Sequence, residues 1–191
     1  MESIDKRGII RNKSTKDCQN SSSMLEIRIV EESPGATYYD FFIDGKYLPH
    51  LLQIGQRRDN WSFYGCDLDY FEVDRIRFPK YDRTKIIKNF VNVCLDKKRP
   101  FNQFGTERVV LYRCHCGCDY CGVISFSLKT DDEFVHWMDI RYETEGGFED
   151  YEPEDDDEYD MRNLKTGDLK FCRAQYEYVF NEYLGKIASL K

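Results

Sequence analysis

Four thiols fall within eight residues in Cys114-His115-Cys116-Gly117-Cys118-Asp119-Tyr120-Cys121, the densest chemistry in the chain. Cys118 and Cys121 have the Cys-x-x-Cys spacing with which a tight turn presents two thiolates to zinc, each at about 2.3 Å. Cys114 and Cys116 are the local candidates for the other two ligands. Alternate side chains on a strand lie about 6.6 Å apart, whereas two sulphurs on one tetrahedral zinc lie about 3.8 Å apart, so both bind only if the chain bends, as Gly117 permits. Cys94, Cys172 and His50 are remote candidates, because no second Cys-x-x-Cys completes the usual pair of knuckles. The cofactor expectation is therefore zinc or none. Two other readings stand beside it: reduced thiols packed as small hydrophobes, and reversible disulfide chemistry, which needs an exposed thiol of depressed pKa.

The second concentration is electrostatic. From Glu149 to Asp160 there are nine acidic residues and no basic one, and removing those nine from the formal net charge of −7 leaves +2 for the remainder. The acidity is thus one patch rather than a general property of the surface. Phe148, Tyr151 and Tyr159 are interleaved with the carboxylates. Read as a binding surface, Glu149, Asp150, Asp155 and Asp156 steer a basic partner protein while Phe148, Tyr151 and Tyr159 anchor it; the plainer reading is a solvated loop.

A basic stretch comprises Arg75, Arg77, Lys80, Arg83, Lys85, Lys88, Lys97, Lys98 and Arg99, with Phe78 and Tyr81 between them. It reads as a solvated helix face with a basic C-terminus, since no nucleic-acid-binding motif accompanies it, and nucleic acid is not the expected partner. His136 reads as a structural strand histidine. His115 beside cysteine invites a Cys-His nucleophile reading, against which stands the strand geometry that points adjacent side chains to opposite faces. Glycine-rich nucleotide loops and the His-Glu-x-x-His zinc motif are absent from the sequence.

The elements that would position these groups follow from periodicity. Leu25, Ile27 and Ile29 alternate with polar residues, as do Tyr39, Phe41 and Ile43, and Asp44-Gly45 suits a type I′ turn that folds Lys46-Tyr47-Leu48 back on the second strand. Trp61 to Tyr64 reads as a further short strand. Ile86, Ile87, Phe90, Val91, Cys94 and Leu95 form one apolar stripe, predicting a helix over 84–95, capped by Asp82 or Thr84 and ended by Lys97-Lys98-Arg99 and Pro100. Residues 107–113, 121–128 and 134–142 read as a meander turning at 129–132, with Phe134, His136, Met138 and Ile140 on one face and Trp137 on the other. Tyr176, Val179, Phe180, Tyr183, Leu184 and Ile187 predict a closing helix over 173–187.

These elements make an α+β fold, a mainly antiparallel sheet with two packed α-helices. Residues 1–23 read as a flexible leader and 24–191 as a single α+β domain with an acidic loop at 148–160; because Met24 opens a strand directly, it is also a candidate start. The chain has 191 residues, 41% hydrophobic and 15% aromatic, enough for a core without cross-links. It has no apolar run long enough to span a membrane, and Gly8-Ile9-Ile10 is too short for the apolar core of a signal peptide. Eight cysteines without such a signal point to a cytoplasmic protein with reduced or metal-bound thiols.

Cys114-His115-Cys116-Gly117, Cys121-Gly122 and Val135-His136-Trp137, together with the hairpin around Tyr39-Asp40-Phe41-Phe42-Ile43-Asp44-Gly45, resemble a family of uncharacterised cytosolic bacterial α+β proteins. The similarity runs from Met24 to the C-terminus. It implies kinship with immunity proteins that neutralise secreted toxins, hence a non-enzymatic, antitoxin-like binding role against a basic partner such as a nuclease-type toxin. The alternative is a thiol oxidoreductase or zinc-binding protein using residues 114–121. Cys118 and the acidic run depart from the family pattern, so neither carries a role taken from it.

Overall fold

A computed structural model describes residues 18, 20–33, 36–53, 68, 83–113, 118–144 and 167–189. Strands β1 (Leu25–Ser33) and β2 (Ala36–Ile43) pair antiparallel, and β3 (Lys46–Tyr47) returns on β2. Asp44 and Gly45 have φ of 51° and 77°, the two positive values that a type I′ turn requires. Leu48 does not extend β3. It opens a single helical turn, α1 (Leu48–Leu51), with Pro49 in the first turn, where its missing N–H has no helical partner to lose.

Helix α2 (Arg83–Cys94) closely matches the apolar stripe. Thr84 lies inside it rather than capping it, and Asp82 lies outside the described residues. Its exit is set by the backbone: Asp96 takes φ 55°, its N–H reaches the Val93 carbonyl at 3.0 Å, and the Lys97 N–H reaches Asn92 at 2.8 Å. This double closure satisfies terminal carbonyls that would otherwise be orphaned. Lys97, Lys98 and Arg99 follow it exposed.

The second sheet has the order β4 (Val109–Arg113), β5 (Val123–Thr130), β6 (Phe134–Glu143), β7 (Leu169–Cys172), antiparallel throughout. The expected strand over 61–64 lies outside the described residues. In the turn before β6, Asp131 accepts the N–H groups of Glu133 and Phe134 at 2.9 and 2.7 Å. Those donors, Phe134 first, hold its carboxyl below the ordinary value.

Strand β6 corrects the expected face assignment. Val135 and Trp137 point into the core, but Asp139 takes φ 54° within an irregularity that sets Ser125 opposite Arg141 and Ser127 opposite Met138. The extra residue reverses the alternation, so Ile140 joins the core instead of sharing a face with His136.

Helix α3 (Arg173–Ser189) packs on β1, β6 and β7 and touches α2. Trp137 sits at the centre: Phe126 stacks on it at 4.5 Å, and Phe41 and Phe171 meet it edge-on at 5.4 and 5.1 Å. Its indole N–H donates to the Tyr176 hydroxyl at 3.0 Å, satisfying a polar group that is otherwise costly to bury. Phe41 also touches Phe90 and Phe180, so one aromatic cluster joins both sheets to both long helices. The fold is α+β and mainly antiparallel sheet, with two long helices packed on it.

Candidate functional site

Cys118 and the short 3₁₀ turn Asp119–Cys121 join β4 to β5, and the loop before β4 holds them in place. Gln103 is the clamp. Its side-chain oxygen accepts the Asp119 N–H at 3.1 Å and the Cys118 thiol at 3.7 Å, its N–H donates to Asp119 Oδ2 at 2.9 Å, and its carbonyl accepts the Tyr120 hydroxyl at 3.3 Å. Behind the turn, Arg113 Nη1 lies 3.1 Å from the buried Asp119 carboxylate. Gly122 closes the turn at φ 94°, and a Cβ there would overlap the Tyr142 ring and hydroxyl, so the position needs glycine.

This framework presents aromatic rings to solvent. Tyr120 is 52% exposed, with Phe104 edge-on to it at 5.6 Å, and Phe101 in the clamping loop is 81% exposed. Cys118 is half-buried. Of the other candidate zinc ligands, Cys114, Cys116 and the Cys121 side chain lie outside the described residues. Among the described residues, no group of three or more His, Cys, Asp or Glu side chains converges on a metal position. The remote candidates have other surroundings. Cys94 is buried in the core where it helps raise the Tyr176 hydroxyl, Cys172 is buried and helps raise the Cys18 thiol, and exposed His50 lies edge-on to Tyr47 at 5.0 Å.

Two buried polar clusters escaped sequence reasoning. In the first, all five Arg108 N–H donors are used: Nε donates to Ser125 Oγ at 2.8 Å, Nη1 to Ser127 Oγ at 2.9 Å and Asp139 Oδ2 at 3.0 Å, and Nη2 to the Ser125 and Asp139 carbonyls. The Ser125 hydroxyl donates a hydrogen bond to Glu143 Oε2 at 2.7 Å, while Thr106 and Asn102 donate to the same carboxylate at 2.8 and 3.3 Å. Burial pulls the Arg108 guanidinium below its ordinary value, and the Asp139 charge opposes that pull.

In the second cluster, Asp40 accepts the Tyr112 hydroxyl at 2.7 Å, the Tyr47 hydroxyl at 2.9 Å and the Phe41 N–H at 2.7 Å, with Tyr38 bonded to Tyr47 at 3.0 Å. Burial raises the Tyr47 hydroxyl far above its ordinary value, and the Asp40 charge adds to the shift. Its only sequence signal is a carboxylate set among aromatics in Tyr38-Tyr39-Asp40-Phe41-Phe42. Nothing local marks Arg108 or Glu143.

The candidate binding residues Phe148, Glu149, Asp150, Tyr151, Asp155, Asp156 and Tyr159 lie outside the described residues, but the ends of their segment do not. The chain leaves β6 beyond Glu143, which pairs with Val123 next to the cysteine turn. It returns at Asp168, whose Oδ1 accepts the Asp139 N–H at 2.9 Å. Glu143 thus lies at the sheet end that carries Tyr120 and Cys118, and Asp168 lies further along β6. His136 lies 3.5 Å from Asp131 across a half-exposed surface. Comparison with known proteins finds no matching family, curated relative or solved structure. No helix among the described residues is long and apolar enough to cross a membrane.

Proposed function

We propose that the chain is a cytoplasmic, non-enzymatic binding protein of the immunity or antitoxin kind, occluding a basic partner protein such as a nuclease-type toxin. The observation that carries this reading is the run of nine carboxylates in the twelve residues 149–160, supported by the exposed Tyr120 of the 119–121 turn. Charge of one sign accelerates encounter with a basic surface, and aromatics held without conformational freedom anchor the docked state. The resemblance of the Cys-x-Cys-Gly, Cys-Gly and Val-x-Trp elements to the immunity-like family supports the same direction.

The test is capture from the source cell by the intact chain and by a variant with Glu149, Asp150, Asp155 and Asp156 changed to Ser or Asn, followed by association kinetics on the captured protein. A basic partner whose association rate falls roughly tenfold at low salt in the variant, with a flatter salt dependence, is the expected result. The same partner bound at unchanged rate and salt dependence would overturn acidic docking. Half-buried Cys118 favours one second reading, zinc or thiol chemistry at 114–121. Stoichiometric zinc after chelator-free purification, with a melting point lowered by chelator, separates metal binding from reversible thiol chemistry, which instead requires a thiol alkylated well below the ordinary pKa.

A further inference from the structure

Cys18 and Cys172 lie 154 positions apart in the chain and are both buried, and the Cys172 thiol pushes the Cys18 thiol up, as a near neighbour does. Independent contacts fix the same meeting point. Cys18 Sγ donates to the Glu133 carbonyl at 3.3 Å, and that carbonyl also accepts the N–H of Arg173, the neighbour of Cys172, at 2.9 Å. Cys172 pairs with Phe134, the residue following Glu133, and Ser23 forms a parallel bridge with Phe171 through its N–H to the Lys170 carbonyl at 2.8 Å. Residues 18 and 20–23, which the sequence assigns to the leader, are thus docked on the outer side of β7.

We propose that Cys18 and Cys172 are a disulfide-forming pair, closed by a peroxide oxidant, that staples the N-terminal segment to the β7–α3 junction. One thiol gives its electron pair to a peroxide oxygen, yielding a sulfenic acid and water. The second thiol attacks that sulphur, the S–S bond forms, and the sulfenic oxygen leaves as a second water. Two thiols and one hydrogen peroxide thus become one disulfide and two waters. Among the described residues the segment is tied to the sheet through Cys18 and Ser23, at the end and edge of β7, so local lifting admits the oxidant without global unfolding. Burial first, then the neighbouring Cys172, raises the Cys18 thiol to about 12, so the docked thiol is protonated and unreactive, and the oxidation runs from the lifted state, where the thiol regains its ordinary acidity.

The experiment treats the folded full chain with hydrogen peroxide, blocks remaining thiols, and maps tryptic peptides. The expected product joins Asp17–Arg28 to Phe171–Arg173, accompanied by a melting temperature raised roughly 5 °C or more and restored by reductant. C18A and C172A each lose both signals, whereas a variant with Cys114, Cys116, Cys118 and Cys121 changed to Ser keeps them. Recovery of Cys18 and Cys172 as separately alkylated thiols while other disulfides form would overturn the proposal. So would equal yield of the linked peptide from chain oxidised in guanidinium, or a linked peptide with an unmoved melting temperature.

Discussion

Tyr112 on β4 donates its hydroxyl to Asp40 on β2 at 2.7 Å, across 72 positions of chain and between the two sheets. A hydrogen bond to a buried carboxylate is stronger than a neutral one, and removing the donor leaves charge less well solvated. Tyr112→Phe is therefore expected to lower stability by about 1.5–3 kcal/mol. Urea unfolding reads this as a lower midpoint at unchanged slope.

Arg108 tests geometry at constant charge. Lysine is a point charge without the planar fork that reaches Ser125, Ser127 and Asp139 together, so Arg108→Lys leaves acceptors of the β6 irregularity unfilled. A loss of at least about 2 kcal/mol is expected, with increased hydrogen exchange at Asp139 and Ile140. Stability within experimental error of the parent would show that the guanidinium is not what holds the irregularity.

Gly122→Ala adds one methyl group against the Tyr142 ring at a φ of 94°. Overpacking and backbone strain act in the same direction, giving a loss of about 1–3 kcal/mol. The displacement of Tyr142 should appear in the NMR resonances of residues 118–122 before any change reaches α3.

The Cys18 thiol makes alkaline stability pH-dependent. Its value rises from about 9.0 to about 12 on folding, so its contribution is fully present below pH 9 and is lost as pH rises through 9 toward 12. The stability gap between the parent and Cys18→Ala should therefore narrow over that window. A gap constant from pH 8 to 11 would contradict the assigned environment.

Alternation and turn chemistry made much of the scaffold legible. Leu25, Ile27, Phe41 and Ile43 mark strands because one sheet face is buried, and Asp44-Gly45 marks the hairpin because both residues must take positive φ. The reversal at Asp139 was not legible. The groups it meets there, the Arg108 guanidinium and Ser125 on the facing strand, lie 31 and 14 positions away, beyond any local period. Strand β7 is four residues long, with burial that runs half, half, full, full instead of alternating, so Leu169–Cys172 carried no strand signal. The cysteine turn showed its thiols in the sequence, but Gln103, which holds Asp119 and Tyr120, lies in a loop whose approach no pattern announces.

The bridge from Ser23 to Phe171 also bears on how the molecule behaves in a crowd. β7 is the last strand of its sheet, and an uncovered last strand offers unpaired N–H and C=O groups as a template on which another chain can pair. By taking the Lys170 carbonyl, the segment at Ser23 occupies part of that template in the opposite sense to the antiparallel ladder inside the sheet. The short residue run before β1 thereby acts as a stopper, and lifting it would turn a finished sheet edge into one open to extension by a neighbouring molecule.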